Sequence, residues 1–195
     1  MLSPISEQKN EKIMYRVFKK IKRADFVRKG YQAEADENYP LPIGFGQTIS
    51  QPFTVAFMLE LLESQKGNKV LDVGSGSGWT MALLANLAGE TGKVFGVEII
   101  PELVEFGRRN LAKYNFPNAE IVQAGAELGL TSEAPFDRIL VSAAAEEVPK
   151  TLLRQLKSPG ILVLPVRNTI IQIKKDTAGK ISQREFPGFV FVPLV

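Results

Sequence analysis

A chain of 195 residues, 45% hydrophobic and 23% charged, is long enough to bury one sizeable core, so a single domain over residues 1–195 is expected. Histidine and cysteine are both absent, which excludes a histidine acid/base pair, a cysteine nucleophile, disulfides and the commonest zinc sites. The longest apolar runs, Ile161 to Val166 and Phe189 to Val195, fall far short of the roughly 20 residues a membrane-spanning helix needs. No basic segment followed by an apolar stretch and a small-residue cleavage site opens the chain, so a cytoplasmic protein with no membrane partner is expected.

The net charge is only +3, but basic residues crowd one stretch: Lys9, Lys12, Arg16, Lys19, Lys20, Lys22, Arg23, Arg28 and Lys29. Ile13, Val17, Ile21 and Ala24 recur beneath them at helical spacing, which predicts an amphipathic helix with a solvated basic face. Aromatic residues do not interleave with the charges, so nucleic acid is not an expected partner. Tyr39 to Ser50 reads as a Pro/Gly-rich loop, of a length that is often functional. It feeds a helix over Gln51 to Glu63, with Phe53, Phe57, Leu61, Val55, Leu59 and Leu62 on a wide apolar face.

From Lys69 onward short β-rich runs alternate with helical patterns, the signature of an α/β, doubly wound and mostly parallel sheet. Strands are expected at Lys69–Val73, Val94–Glu98, Ala119–Gln123 and Arg138–Ser142. Helices are expected at Trp79–Ala88, after Pro101, which suits a first helical turn, and at Glu146–Leu156. Ser158-Pro159-Gly160 reads as a break. Strands Ile161–Val166, Thr169–Lys175 and Phe186–Leu194 follow, the last two joined by a turn at Asp176 to Gly179.

The most informative local motif is Val70-Leu71-Asp72-Val73-Gly74-Ser75-Gly76-Ser77-Gly78, a strand running into a glycine-rich turn and a helix. Small residues let backbone approach a ligand closely, and the helix start presents unpaired N–H groups. The place where a dinucleotide fingerprint wants its third glycine holds Trp79, which disfavours NAD and FAD, and no phosphate-loop motif is present. Glu98 closes the second strand, where an acid accepts hydrogen bonds from the ribose hydroxyls of a nucleoside cofactor. A glycine turn after one strand and an acid closing the next resembles the class I methyltransferases, Rossmann-like enzymes whose cofactor is S-adenosylmethionine. Asp72 either braces the turn or faces the cofactor's methionine end.

Pro40-Leu41-Pro42-Ile43-Gly44-Phe45-Gly46-Gln47-Thr48-Ile49-Ser50-Gln51-Pro52 resembles the signature loop of the protein-L-isoaspartate O-methyltransferases. The likeness continues through the glycine turn, Ile100-Pro101-Glu102-Leu103, Arg108-Arg109-Asn110-Leu111, Ala134-Pro135-Phe136-Asp137, Ser142-Ala143-Ala144-Ala145 and Phe191-Val192-Pro193-Leu194. The resemblance implies methyl transfer from S-adenosylmethionine to isoaspartyl-containing proteins or peptides by a monomer, with acceptance of D-aspartyl sites left open. It makes residues 1–50 an N-terminal helix and substrate loop, and residues 51–195 the Rossmann-like core. It places Thr48 and Ser50 at the reacting carboxylate, with Ile49, Ala143, Ala144 and Ala145 along the substrate cleft. Cofactor contacts fall to Asp72, Gly74, Ser75, Gly76, Gly78, Glu98, Gly125 and Ala126. Ser50 also sits where a helix N-cap belongs, with Pro52 in the first turn, and the two roles are compatible.

Two positions depart from the family pattern. Ala124-Gly125-Ala126 stands where the family usually carries Gly-Asp-Gly, whose aspartate contacts the adenine amino group, and Asn38 stands where an aspartate is common. Glu127 or a backbone carbonyl is the expected substitute at the first. The rival readings are a same-fold methyltransferase with another acceptor, such as a different peptide carboxylate, a small molecule or RNA held by the basic helix, and a non-catalytic binding module. An Asp/Asn-Pro-Pro-aromatic tetrapeptide, typical of amino and amide methylation, is replaced here by Ser142-Ala143-Ala144-Ala145.

Overall fold

The computed structural model describes residues 4–194, with side chains from Lys12 onward. The side chain of Lys9 and the end of the apolar run at Val195 lie outside the described residues. Helix α1 (Pro4–Lys20) buries Val17, while Ile13 is 41% exposed. The apolar face is therefore narrower than its spacing implies. The chain leaves the helix at Lys20, and Ile21 reaches the core from a bend leading into a 3-10 turn at Arg23–Asp25.

The stretch read as a loop contains a hairpin of β1 (Leu41–Gly44) and β2 (Gln47–Ile49). Phe45 and Gly46 at its tip both have positive φ, 56° and 72°, the conformation whose twist suits a two-residue hairpin turn. Helix α2 (Pro52–Leu62) follows, ended by Glu63 in the left-handed conformation. Its N-cap is Gln51, not Ser50, and no side chain of its own caps it. Asn38 Oδ1 instead accepts a hydrogen bond from the Phe53 N–H at 3.0 Å, so the cap arrives from an earlier loop.

The main sheet has seven strands: β3 (Lys69–Val73), β4 (Lys93–Glu98), β5 (Ala119–Gln123), β6 (Phe136–Val141), β7 (Leu156–Val166), β8 (Thr169–Lys175) and β9 (Ile181–Pro187). Their order is β5-β4-β3-β6-β7-β8-β9. The first five run parallel, and β8 and β9 add antiparallel ribbons at one edge. Helices α3 (Trp79–Ala88), α4 (Pro101–Leu111) and α5 (Lys150–Gln155) provide the crossovers. Strand alternation sorts the core onto the two faces. Val70, Leu140 and Val163 join α1 to α4 in one cluster, and Leu71, Val73, Ile139, Val141 and Leu162 join Leu152 of α5 in the other. Each leucine buried in this way stabilises the fold by about 1.5–3 kcal/mol. Among the described residues no helix is long and apolar enough to cross a membrane.

Three expected boundaries move. The helix placed at Glu146–Leu156 begins only at Lys150, because Ala145 bridges to Val166 and the residue before Pro149 is steered away from helical backbone. Ser158-Pro159-Gly160 does not end an element: Phe136 pairs with Leu156 and Arg138 with Ile161, so Lys157 to Gly160 bulge within β7. Lys157 Nζ meets Asp137 Oδ1 across that bulge at 2.8 Å. The last strand is Ile181–Pro187, a polar and largely exposed edge, whereas the apolar Phe189 to Leu194 leaves the sheet. Gly188, at φ 98°, turns the chain, with its N–H and that of Phe189 on Asn168 O.

A close backbone approach joins the glycine turn to α4. A Cβ on Gly107 would stand 2.8 Å from Gly76 O and 2.9 Å from Ile121 Cδ1. Gly107→Ala should therefore lower stability by about 1–3 kcal/mol in urea unfolding, the usual range for overpacking. An unchanged midpoint would mean that α4 backs away freely.

Candidate active site

The site lies outside the carboxyl ends of β3, β4, β5 and β6, where β3 has neighbours leaving in opposite directions, the usual ligand position in open α/β sheets. A cavity of about 440 Å³ is lined by Val73, Gly74, Gly76, Val97, Glu98, Ile100 and Ala124 to Gly129, and closed by Ser142, Ala143 and Val192 to Leu194. A smaller space of about 40 Å³ adjoins it, lined by Thr48, Ile49, Ser50, Ser75, Ser77, Thr80, Ser142 and Phe191. Thr48, Gly74, Gly76 and Ser142 line both.

The glycine turn is held from outside. The Gly74 and Ser75 N–H groups donate to Val97 O at 2.9 and 3.1 Å, and Asn110 Nδ2 donates to Ser77 O at 3.1 Å. Glu98 Oε2 accepts from the Gly76 N–H at 2.9 Å and Oε1 from the Ile100 N–H at 3.0 Å. The Ser75 hydroxyl is buried with no partner among the described residues. Gly78 lines neither cavity; a Cβ there would stand 2.9 Å from Gly107 O, so its smallness serves the packing of α3 on α4.

Asp72 lies beneath the turn and lines neither cavity. Thr80 Oγ1 donates to its Oδ2 at 2.5 Å and Ser142 Oγ to its Oδ1 at 3.1 Å, so it braces the start of α3 against the end of β6. Burial pushes its pKa up to about 6, opposed by the two hydroxyls and helped by the nearby Glu98.

The expected substrate residues separate. Thr48, Ile49 and Ser50 line the smaller space and Ala143 the larger cavity, while Ala144 and Ala145 line neither. Ala144 acts through its backbone, donating to Val192 O and accepting from the Leu194 N–H, both at 2.8 Å. That pairing draws Val192 to Leu194 over the cavity, a wall the sequence reading placed in a strand. Gly125 and Ala126 line the larger cavity, and a Cβ on Gly125 would meet open space. Glu127 lines the same cavity, and its Oε2 accepts from Thr131 Oγ1 at 2.9 Å. Gln155, which the sequence did not single out, anchors this loop by donating to Leu128 O and accepting from the Leu130 N–H.

The family model for Protein-L-isoaspartate(D-aspartate) O-methyltransferase matches residues 4–195. The chain belongs to this family. A protein-L-isoaspartate O-methyltransferase of Methanococcoides burtonii is 40% identical over 198 residues, covering 100% of this chain and 98% of the relative. One from Archaeoglobus fulgidus is 42% identical, covering 93% and 84%. Among solved structures, a Plasmodium falciparum protein assigned to the same enzyme class and complexed with S-adenosyl-L-homocysteine superposes with a TM-score of 0.82 at 25% identity, covering 94% of this chain and 90% of that one.

Asp72 supplies a pH signature. The folded state keeps its proton up to about pH 6, while an unfolded carboxyl releases it near 3.8. Stability from this group is therefore fully present below about pH 4, declines as pH rises to about 6 and is level beyond, a loss on the order of 3 kcal/mol. Asp72→Asn should gain on the unsubstituted protein across that window when unfolding free energies are compared at pH 4 and pH 7. A pH-independent difference would place Asp72 at its ordinary pKa.

Proposed function

We propose that this chain transfers the methyl group of S-adenosylmethionine to the carboxylate of L-isoaspartyl residues in damaged proteins or peptides, the step that opens their repair. The observation that carries the reading is the meeting of two cavities at Thr48, Gly74, Gly76 and Ser142. The cofactor turn and the signature loop face one another there, in a chain matched by its family over nearly its whole length.

The residues fit the cofactor. Glu98 spends one acceptor position of each oxygen on the Gly76 and Ile100 N–H groups, which leaves about two of the roughly four sites of a carboxylate for ribose hydroxyls. Such charge-assisted bonds contribute about 1.5–3 kcal/mol each. The unpartnered Ser75 hydroxyl and the backbone of Gly74 to Gly76 suit the polar methionine end. Ala124 to Gly129, held by Gln155, would flank the adenine. When bound, S-adenosylmethionine supplies an electrophilic methyl group on a sulfonium sulfur, and transfer of that methyl to an ionised carboxylate oxygen, with the sulfur leaving as a neutral thioether, requires no proton movement.

The acceptor carboxylate, with an ordinary pKa of about 4, is already ionised at neutral pH, so a histidine-free chain needs no general base. What remains is alignment in a water-poor pocket. Thr48 and Ser50 orient the carboxylate, Ile49 and Ala143 exclude water, Ala144 secures the Val192 to Leu194 wall through backbone contacts, and Ala145 ties the same segment to Pro165 and Val166 at the end of β7. Orientation must favour the transition state over the ground state, because gripping the carboxylate equally tightly in both would not accelerate transfer. We infer that residues 1–50 and 51–195 act as one unit, supported by the shared core of Ile21, Leu41 and Ile43 with Leu83 and Val163, and that the enzyme is a cytoplasmic monomer with no nucleic-acid partner.

Labelled S-adenosylmethionine offered with a matched pair of peptides should methylate the isoaspartyl peptide and leave the normal aspartyl peptide untouched. Cofactor binding without transfer to either would move the acceptor to another class. Gly125→Asp, which restores the family's carboxylate into open space, should tighten S-adenosylhomocysteine binding by roughly tenfold in calorimetry, the yield of one hydrogen bond to a charged group. Unchanged affinity would place the adenine elsewhere.

A further inference from the structure

Arg23 is only 3% exposed, and its hydrogen bonds all go to backbone carbonyls. Nη1 donates to Ala35 O and Glu37 O at 3.0 and 3.2 Å, and Nη2 to Tyr39 O and Ile49 O at 2.9 and 3.2 Å. Its guanidinium carbon lies 5.7 Å from the centre of the Trp79 ring, at the first residue of α3. Burial outweighs the through-space pull of Asp36 and brings its pKa down to about 10, so the group stays cationic at neutral pH. Nε is buried without a hydrogen-bond partner among the described residues, so the four carbonyls on Nη1 and Nη2 offset the cost of burying the cation, and the planar fork of an arginine reaches them together.

The four acceptors fall on two pieces of chain. Three belong to residues 35–39, and within that piece Asn38 caps α2 at the Phe53 N–H. The fourth is the carbonyl of the residue immediately before Ser50. Ser50 is thus fastened on both sides, at Ile49 O and, through Asn38, at Phe53. In a trans peptide C=O and N–H point in opposite directions, so fixing the Ile49 carbonyl on the guanidinium also fixes the Ser50 N–H away from it. Trp79, which lines the smaller space with Ser50, sets this frame against the glycine turn.

We propose that Arg23 is the positioning residue of the acceptor loop, holding the Ser50 hydroxyl and peptide in the orientation that presents an acceptor carboxylate to the methyl donor. The assignment rests on the reading of Thr48 to Ser50 as the acceptor side of the site. A merely structural arginine would affect folding, or cofactor and peptide together; a positioning arginine separates the two substrates.

The test measures kcat and KM for an isoaspartyl peptide, and the Kd for S-adenosylhomocysteine, in Arg23→Lys, which keeps the charge and loses the fork, and in Asn38→Ala, which removes the cap without burying a charge. Both are assayed well below their unfolding midpoints. Arg23→Lys should lower kcat/KM for the peptide by roughly 10- to 100-fold, the scale of a misplaced reacting group, with the cofactor Kd unchanged. Asn38→Ala should do the same to a smaller extent, and the double variant should lose less than the product of the two, because both act on one segment. Unchanged peptide kinetics in folded variants, or a cofactor Kd that weakens in step with them, overturns the assignment. If Arg23→Lys does not fold, Asn38→Ala decides: a peptide-selective loss supports the frame around Ser50, and no loss overturns it. The unsubstituted enzyme separates the two levels, since its failure to methylate the peptide sinks the acceptor reading, whereas an active enzyme with indifferent variants sinks only the role of Arg23.

Discussion

The site depends on one carboxylate that grips backbone on two sides. Glu98 ends β4 and accepts hydrogen bonds from the Gly76 N–H in the turn after β3 and from the Ile100 N–H at the entry to α4. A turn built of Gly-Ser-Gly-Ser-Gly has almost no side chains with which to hold itself, and each glycine raises the entropic cost of ordering it. Its conformation is imposed by its neighbours: Val97 O, the Glu98 carboxylate, Asn110 and the bare face of Gly107. Without those supports the cavity floor would have to be ordered by the cofactor at the moment of binding, at the expense of affinity.

The opposite wall follows the same logic with different materials. The signature loop is a tight hairpin whose exit runs directly into α2, and the cap of that helix is borrowed from Asn38. Such rigidity suits a reaction in which the acceptor is already ionised and the enzyme's contribution is alignment. Two pre-set walls meet at Thr48 and Gly76, and little is left for the substrates to order on arrival.

What could be read from the sequence was what is local. A strand, a glycine turn, a helix start and an acid at the end of the next strand are contiguous patterns, so β3, α3 and Glu98 were legible, as was the parallel direction of the central strands. What was missed depends on distant partners. Arg23 looked like one more charge on a basic helical face, because spacing cannot reveal that four carbonyls lie within reach. Ser50 has the right type and place for a helix cap, yet Asn38 caps α2 from across the loop. Phe189 to Leu194 has the apolar character of a strand, but Pro187 and Gly188 turn it out of the sheet towards Ala144. The exposed, polar β9 forms because β8 offers it a full ladder of backbone partners, a driving force that hydropathy does not record. Gly78 was grouped with the cofactor glycines by its motif, although its environment is helix packing.

The pairing of Ala144 with Val192 to Leu194 also bears on the order in which the molecule comes into being. The parallel strands and the glycine turn are complete by Val166, and domains condense as they leave the ribosome. The cavity, however, acquires its remaining wall only from residues beyond Gly188. A nascent chain can therefore possess the sheet, the turn and the acceptor loop while its site is still open to water on one side. The water-poor pocket that methyl transfer needs is therefore shared between the sheet and a segment that has left it, Val192 to Leu194.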